Sequence, residues 1–245
     1  MNRSIPSVLR NARGQRLDFA VHAGRADEAR LMVLGHGVTG NKDRPLLVVL
    51  AEALAQAGIT TLRLSFAGNG ASEGAFADST ITSEVEDLGA VLDALPGWQV
   101  GYAGHSMGGA VGVLRAARDP RLRWLVSLAG MAHTAAFTQR EFGTITPGAG
   151  LMWDKPECPL SQAYMDDLTR LHSVASAARA VRLPWLLVHG TEDDVVPIQD
   201  SRDLMVGAGP ERKLIEIPGS DHVFSEAYAS LMANAVVEWM ATQRG

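Results

Sequence analysis

The sequence predicts an α/β protein: a mostly parallel central sheet with helices on both faces and a small cap inserted late in the chain. Three observations predict it. Short apolar, β-branched runs alternate with segments of helical spacing along nearly the whole chain, the pattern of a parallel sheet covered on both sides. A Gly-x-Ser-x-Gly sequence at 104–108 stands between a strand and a helix. The stretch 131–183 interrupts the alternation, which resumes after it. A length of 245 residues suits one domain spanning 1–245, with that stretch as its insertion.

In order, residues 7–22 hold two extended runs around the turn Asn11–Gly14, expected to form an antiparallel hairpin. Leu31–Leu34 is an apolar strand running into Gly35-His36-Gly37, and a helix is expected over Arg44–Ala57, stopped by Gly58. Ile59–Ser65 is a buried strand leading into a glycine-rich loop at 68–74. Ile81–Leu95 carries Ile81, Val85, Leu88 and Leu92 on one helical face. Trp98–Ala103 reads as a strand, Ala110–Arg118 as a helix and Leu122–Ala129 as a strand. Within 131–183 the aromatics Phe137, Phe142, Trp153 and Tyr164 sit among prolines, with one helix expected over Ser161–Ala180. So long an irregular segment in a compact domain is usually functional, and its place between strands whose ends frame the site favours a cap over the crevice, the alternative being a surface excursion whose aromatics pack on the core. Trp185–His189 and Arg212–Ile217 are the last strands, with helices near Gln199–Val206 and Ser225–Thr242.

The chemistry is organised around Ser106. A sharp strand-to-helix turn with glycines two residues to either side presents the hydroxyl above the sheet, at the positive end of a helix. In parallel sheets ligands bind beyond the C-terminal strand ends. His36, Gly68 and Ser106 all lie there, so their loops should converge. A serine hydroxyl needs a base, and the base needs an orienting acid. Proteins built on this turn supply the acid and then the histidine downstream of the serine. Of seven histidines, only His222 follows the last strand and precedes the last helix. Glu192, Asp193 and Asp194 share the loop after Trp185–His189, and each could serve as the acid. Asp221 adjoins His222 and cannot easily reach round to its neighbour's ring, so it is assigned a structural role. An oxyanion needs two fixed N–H donors. The backbone of Met107, next to the serine, and of Val38, in the loop after Leu31–Leu34, would supply them.

Composition excludes other classes. A formal net charge of −5 with no Lys/Arg block argues against nucleic acid and anionic membrane as partners. No apolar run is long enough for membrane insertion. The single cysteine, Cys158, excludes an intrachain disulfide and suits a reducing compartment, and it lacks any nucleophile context. Met1–Pro6 has no apolar core of a signal peptide, so a cytoplasmic location is expected. The sequence leaves a homodimer open.

Four blocks resemble a known family: His36-Gly-Val-Thr-Gly-Asn41, Gly68-Asn-Gly-Ala-Ser-Glu-Gly74, Gly104-His-Ser-Met-Gly-Gly109 and His189-Gly-Thr-Glu-Asp-Asp-Val-Val-Pro197, completed by Asp221-His222. Together they are similar to the serine α/β-hydrolases over nearly the whole chain, and most of all to small bacterial cinnamoyl (feruloyl) esterases. The resemblance implies a triad of Ser106, Asp193 and His222, with Asp193 chosen over Asp194 by its match to the family's acid. It implies oxyanion donors at Val38 and Met107, and an acyl pocket lined from the cap by Trp153, Asp154 and Tyr164. The family's Asp-Phe-Arg-Gly-His-Gly reads Ser65-Phe-Ala-Gly-Asn-Gly70 here, and its oxyanion phenylalanine is Val38, changes expected to alter the crevice wall.

The expected function is therefore hydrolysis of a small-molecule carboxylic ester through an acyl-enzyme, with aromatic, hydroxycinnamoyl or short acyl groups as candidates and no metal or organic cofactor. A thioesterase, a carbon–carbon bond hydrolase or an aminopeptidase would use the same triad. A non-catalytic binding protein of this fold is the alternative of a different class.

Overall fold

The computed structural model describes residues 3–25, 28–206 and 211–243. Met1 and Asn2, the first residues of the segment read for a signal peptide, lie outside the described residues.

The expected hairpin is two short antiparallel strands, β1 (Leu9–Arg10) and β2 (Arg16–Leu17), separate from the main sheet. The main sheet contains β3 (Phe19–His22), β4 (Arg30–Gly35), β5 (Thr60–Leu64), β6 (Gln99–His105), β7 (Leu122–Leu128), β8 (Trp185–Gly190) and β9 (Arg212–Ile217). Their spatial order is β3-β5-β4-β6-β7-β8-β9; only the edge strand β3 runs antiparallel to its neighbour. The central strands read as continuous apolar runs because both faces are covered. Side chains alternate accordingly: Leu31 and Val33 of β4 enter one core, Met32 and Leu34 the other.

The helices divide between these faces. α1 (Pro45–Gln56) and α8 (Ala227–Thr242) pack together on the Met32 side. α2 (Ile81–Asp93) and α3 (Met107–Ala116) cover the other. α2 starts at Thr80, whose hydroxyl accepts the Ser83 N–H at 3.1 Å while the Ser83 hydroxyl accepts the Thr80 N–H at 2.9 Å, a reciprocal cap. α1 stops where Gly58 takes φ 92°, a conformation open to glycine. Among the described residues no helix is long and apolar enough to cross a membrane.

The insertion between β7 and β8 differs from expectation in two respects. A helix not foreseen, α4 (Thr134–Phe142), precedes the irregular part; Ala135, Ala136, Gln139, Arg140 and Glu141 are all strong helix formers. The single helix expected over Ser161–Ala180 is two, α5 (Gln162–Leu171) and α6 (Ala175–Ala178), because His172 turns to φ 59° and ends the first. Ser161 caps α5 by accepting the Tyr164 N–H at 3.1 Å. The insertion is knit together by its own aromatics: Phe142 lies 5.0 Å from Trp153, 5.9 Å from Phe137 and 6.0 Å from Tyr164, centroid to centroid. α7 (Ile198–Met205) follows β8 and returns the chain to β9.

Candidate active site

Ser106 sits at the junction of β6 and α3 with φ 55° and ψ −119°, a conformation that L residues avoid unless their surroundings impose it. The surroundings are the flanking glycines. A Cβ on Gly104 would lie 2.1 Å from the Gly108 carbonyl oxygen, and one on Gly108 would lie 2.5 Å from that of His36. The Ser106 N–H donates to the Leu128 carbonyl at 2.9 Å, tying the turn to β7. Gly37 lies against it: a Cβ there would come within 3.2 Å of Ser106 Oγ.

The loop after β8 presents three acids, and the fold separates them. Asp193 has a fully buried side chain; its Oδ1 accepts the N–H groups of Val195 at 2.9 Å and Val196 at 2.8 Å. Its Oδ2 lies 2.8 Å from His222 Nδ1 and 3.1 Å from His189 Nε2. Burial opposes ionisation of this carboxyl, but the hydrogen bonds from His189 and His222 outweigh it and hold the group well below the usual carboxylate range. Glu192 and Asp194 are exposed. Asp221 accepts the N–H and hydroxyl of Ser225 at 2.8 and 2.6 Å, a local bond ahead of α8 that leaves the His222 ring to Asp193.

The loop after β4 turns at 37–40, closed by the Gly40 N–H to the Gly37 carbonyl at 3.0 Å, with Thr39 at φ 56°. Behind it, buried His36 accepts the Phe66 N–H on Nε2 at 3.1 Å, so its other ring nitrogen carries the proton and donates to the Gly37 carbonyl at 2.8 Å. Burial, aided by the charge of Arg44, lowers the His36 pKa to about 4, which keeps the ring neutral in this role. Among the described residues neither the Val38 N–H nor the Met107 N–H has a protein acceptor.

These loops meet at a cavity of about 310 Å³ whose wall includes Val38, His105, Ser106, Trp153, Val195 and His222. Ser106 Oγ and the His222 ring share that wall with no hydrogen bond between them. His105 backs His222: its Nε2 donates to the His222 carbonyl at 2.9 Å, and burial brings its pKa to about 3. Of the three cap residues implied by similarity, Trp153 lines the cavity, while Asp154 and Tyr164 do not. Tyr164 is buried beneath Phe142, drawn in by α5's packing on α4, and Asp154 turns outward with φ 56°. The 65–70 loop also lies off the wall, correcting the expectation that its changes reshape the crevice. Asn69 instead faces inward, donating to Ser79 Oγ at 3.0 Å. The remaining histidines lie elsewhere: His22 against Arg63, His133 against Asp203, and His172 at the end of α5.

Arg44, Lys155 and His189 were not singled out from the sequence. Arg44 and Lys155 line the cavity beside Thr39, and His189 lies behind Asp193. Adjacency was the available signal: Arg44 closely follows the 37–40 loop, Lys155 closely follows Trp153, and His189 opens the acid loop.

Residues 30–156 match the family described as alpha/beta hydrolase fold. An uncharacterized protein of Mycobacterium tuberculosis is 26% identical over 185 residues, 74% of this chain, which spans only 59% of that relative's length. A monoacylglycerol lipase of Mycolicibacterium smegmatis is 27% identical, with 94% of each chain covered. Among solved structures, Est1E from Butyrivibrio proteoclasticus with ferulic acid bound superposes with a TM-score of 0.86 at 25% identity, covering 97% of this chain and 99% of that one.

Proposed function

The chain belongs to the α/β-hydrolase fold family, and from that premise we propose that it is a serine hydrolase acting on carboxylic esters. One observation carries the reading: the 2.8 Å bond between Asp193 and His222 Nδ1, in a cavity that His222 shares with Ser106. Because His222 Nδ1–H donates a hydrogen bond to Asp193, Nε2 is the unprotonated, basic nitrogen available to take the serine's proton.

Ser106 Oγ attacks the ester carbonyl carbon as His222 Nε2 takes the hydroxyl proton. The carbonyl oxygen becomes an oxyanion between the N–H groups of Val38 and Met107, which are fixed before the reaction and cost no reorganisation. The intermediate collapses, the C–O bond to the alcohol breaks, and His222 returns the proton to the leaving oxygen. Water then attacks the acyl-enzyme, its proton passing to His222, and the acid leaves as Ser106 recovers its own. Asp193, ionised throughout, stabilises the His222 imidazolium that forms in each half-reaction. The insertion at 131–183 acts as the cap that bounds the acyl group through Trp153. The ferulic acid bound to Est1E supports an aromatic acyl group, and the monoacylglycerol lipase relative supports an ester substrate.

Stopped-flow hydrolysis of p-nitrophenyl butyrate tests this. The wild-type protein should show a burst of p-nitrophenol equal to the enzyme concentration, and a fluorophosphonate should label Ser106. Equal turnover by wild type and Ser106→Ala would refute the reading.

A further inference from the structure

Two cations converge on one residue of the cavity wall. Arg44 Nη2 donates to the Thr39 carbonyl at 3.1 Å, and Lys155 Nζ donates to the Thr39 hydroxyl at 2.9 Å. The first comes from the start of α1, the second from the insertion, and both line the Ser106 cavity. Among the described residues no carboxylate forms an ion pair with either. Of the nearby acids, Asp43 is engaged by Lys42 and Arg63 and Glu141 by Arg140 and the Trp153 indole, while Asp154 and Glu157, beside Lys155 in the chain, are exposed. α1 has no acidic residue in its first turn, and Arg44 stands at its N-cap, where a cation adds to the positive end of the helix. Like charges tethered to two oxygens of one residue repel, more so where partial burial limits water's screening. Elsewhere on the wall His105 is neutral and Val38 and Val195 are uncharged, and the Trp153 ring, 5.9 Å from Lys155 Nζ, offers a π face but no counter-charge.

We propose that Arg44 and Lys155 form an anion subsite beside Ser106, selecting esters that carry a carboxylate or phosphate group near the scissile bond. The proposal rests on the ester-hydrolase reading and narrows its substrate class. Both cations lean on Thr39, the residue after Val38, so an anion held by them lies next to the donor loop that would receive the carbonyl oxygen. The cavity of about 310 Å³ suits a small ester whose charge and reacting carbonyl are a few bonds apart.

The test compares p-nitrophenyl butyrate with mono-p-nitrophenyl succinate, and ethyl butyrate with 2-phosphoethyl butyrate, in wild type and in Arg44→Gln/Lys155→Gln. The readout is the ratio of kcat/KM for the charged ester to that for its neutral partner. It should fall about tenfold or more in the double variant, as expected when charge-assisted hydrogen bonds are lost. Lys155→Arg with Arg44 intact should retain most of it, and in wild type KM for the charged ester should rise with salt. A ratio that falls in either pair supports the subsite, the succinate pair probing an anion on the acyl side and the phosphoethyl pair one on the alcohol side. A ratio unchanged within twofold in both pairs overturns the proposal. Calorimetric binding to Ser106→Ala separates this from the parent reading: monophenyl succinate should bind at least tenfold more tightly than phenyl butyrate, and the added Gln substitutions should abolish the difference. If no ester is hydrolysed, the parent reading falls and this measurement alone decides the subsite; equal affinities overturn it.

Discussion

Asp193 Oδ2 bridges two histidines, lying 2.8 Å from His222 Nδ1 and 3.1 Å from His189 Nε2. His189 is itself clamped, its Nδ1 accepting from Ser201 Oγ at 2.7 Å and its Nε2 donating also to the Val196 carbonyl at 2.9 Å. With both oxygens occupied, the carboxylate has one orientation, and the His222 ring inherits it. His189 is thus a positioning residue for a group it does not touch.

Exchanging the neighbouring acids should give opposite results. Asp193→Asn should lower kcat by roughly 10³–10⁴, since an amide at this place favours the wrong ring tautomer. Asp194→Asn, at an exposed position, should stay within about threefold of wild type. Steady-state kinetics on p-nitrophenyl butyrate decides the assignment, and a larger loss at Asp194 would reverse it.

Val38→Pro removes one proposed oxyanion donor while suiting the backbone. Val38 is the second residue of the 37–40 turn, a position that favours proline. We expect kcat to fall about 100–1000-fold with KM within a few fold. A rise in KM with kcat unchanged would show that this N–H contributes to ground-state binding and not to the oxyanion.

Gly108→Ala should damage stability and activity together. The added methyl meets the His36 carbonyl oxygen at 2.5 Å, a backbone atom with no rotamer to yield. Overpacking of this kind costs about 1–3 kcal/mol. The melting temperature should drop by several degrees, and labelling of Ser106 by a fluorophosphonate should slow. A variant of wild-type stability would mean that the β4 end is free to shift.

Acid should expose the cost of His36. Its folded pKa of about 4 lies below the unfolded value of about 6.5. Between those values the unfolded chain takes up a proton that the folded ring refuses. The stability contribution is complete above about pH 6.5 and is lost as pH falls toward 4, on the order of 3 kcal/mol in all. Urea denaturation of wild type and His36→Gln should therefore give a stability difference that shrinks by about that amount between pH 7 and pH 4. A difference independent of pH would show that His36 titrates normally in the folded protein.

What the sequence determined by itself was the architecture and the position of the turn at Ser106. Alternating apolar strands and amphipathic helices are local patterns, and the glycines at 104 and 108 are local steric requirements, so both can be read without the fold. The order of serine, acid and histidine along the chain was legible for the same reason, each standing at a strand end. The residues by themselves left Asp193 and Asp194 open and family resemblance favoured Asp193; the physical difference appears only in the tertiary structure, since adjacent aspartates carry the same charge and differ in the direction the loop turns them. Only it moved Tyr164 into the core and left Trp153 at the cavity, because helix–helix packing sets which face of the insertion points down. Arg44 and Lys155 lie far apart in the chain and meet through Thr39, a contact made where the insertion reaches the loop ahead of α1.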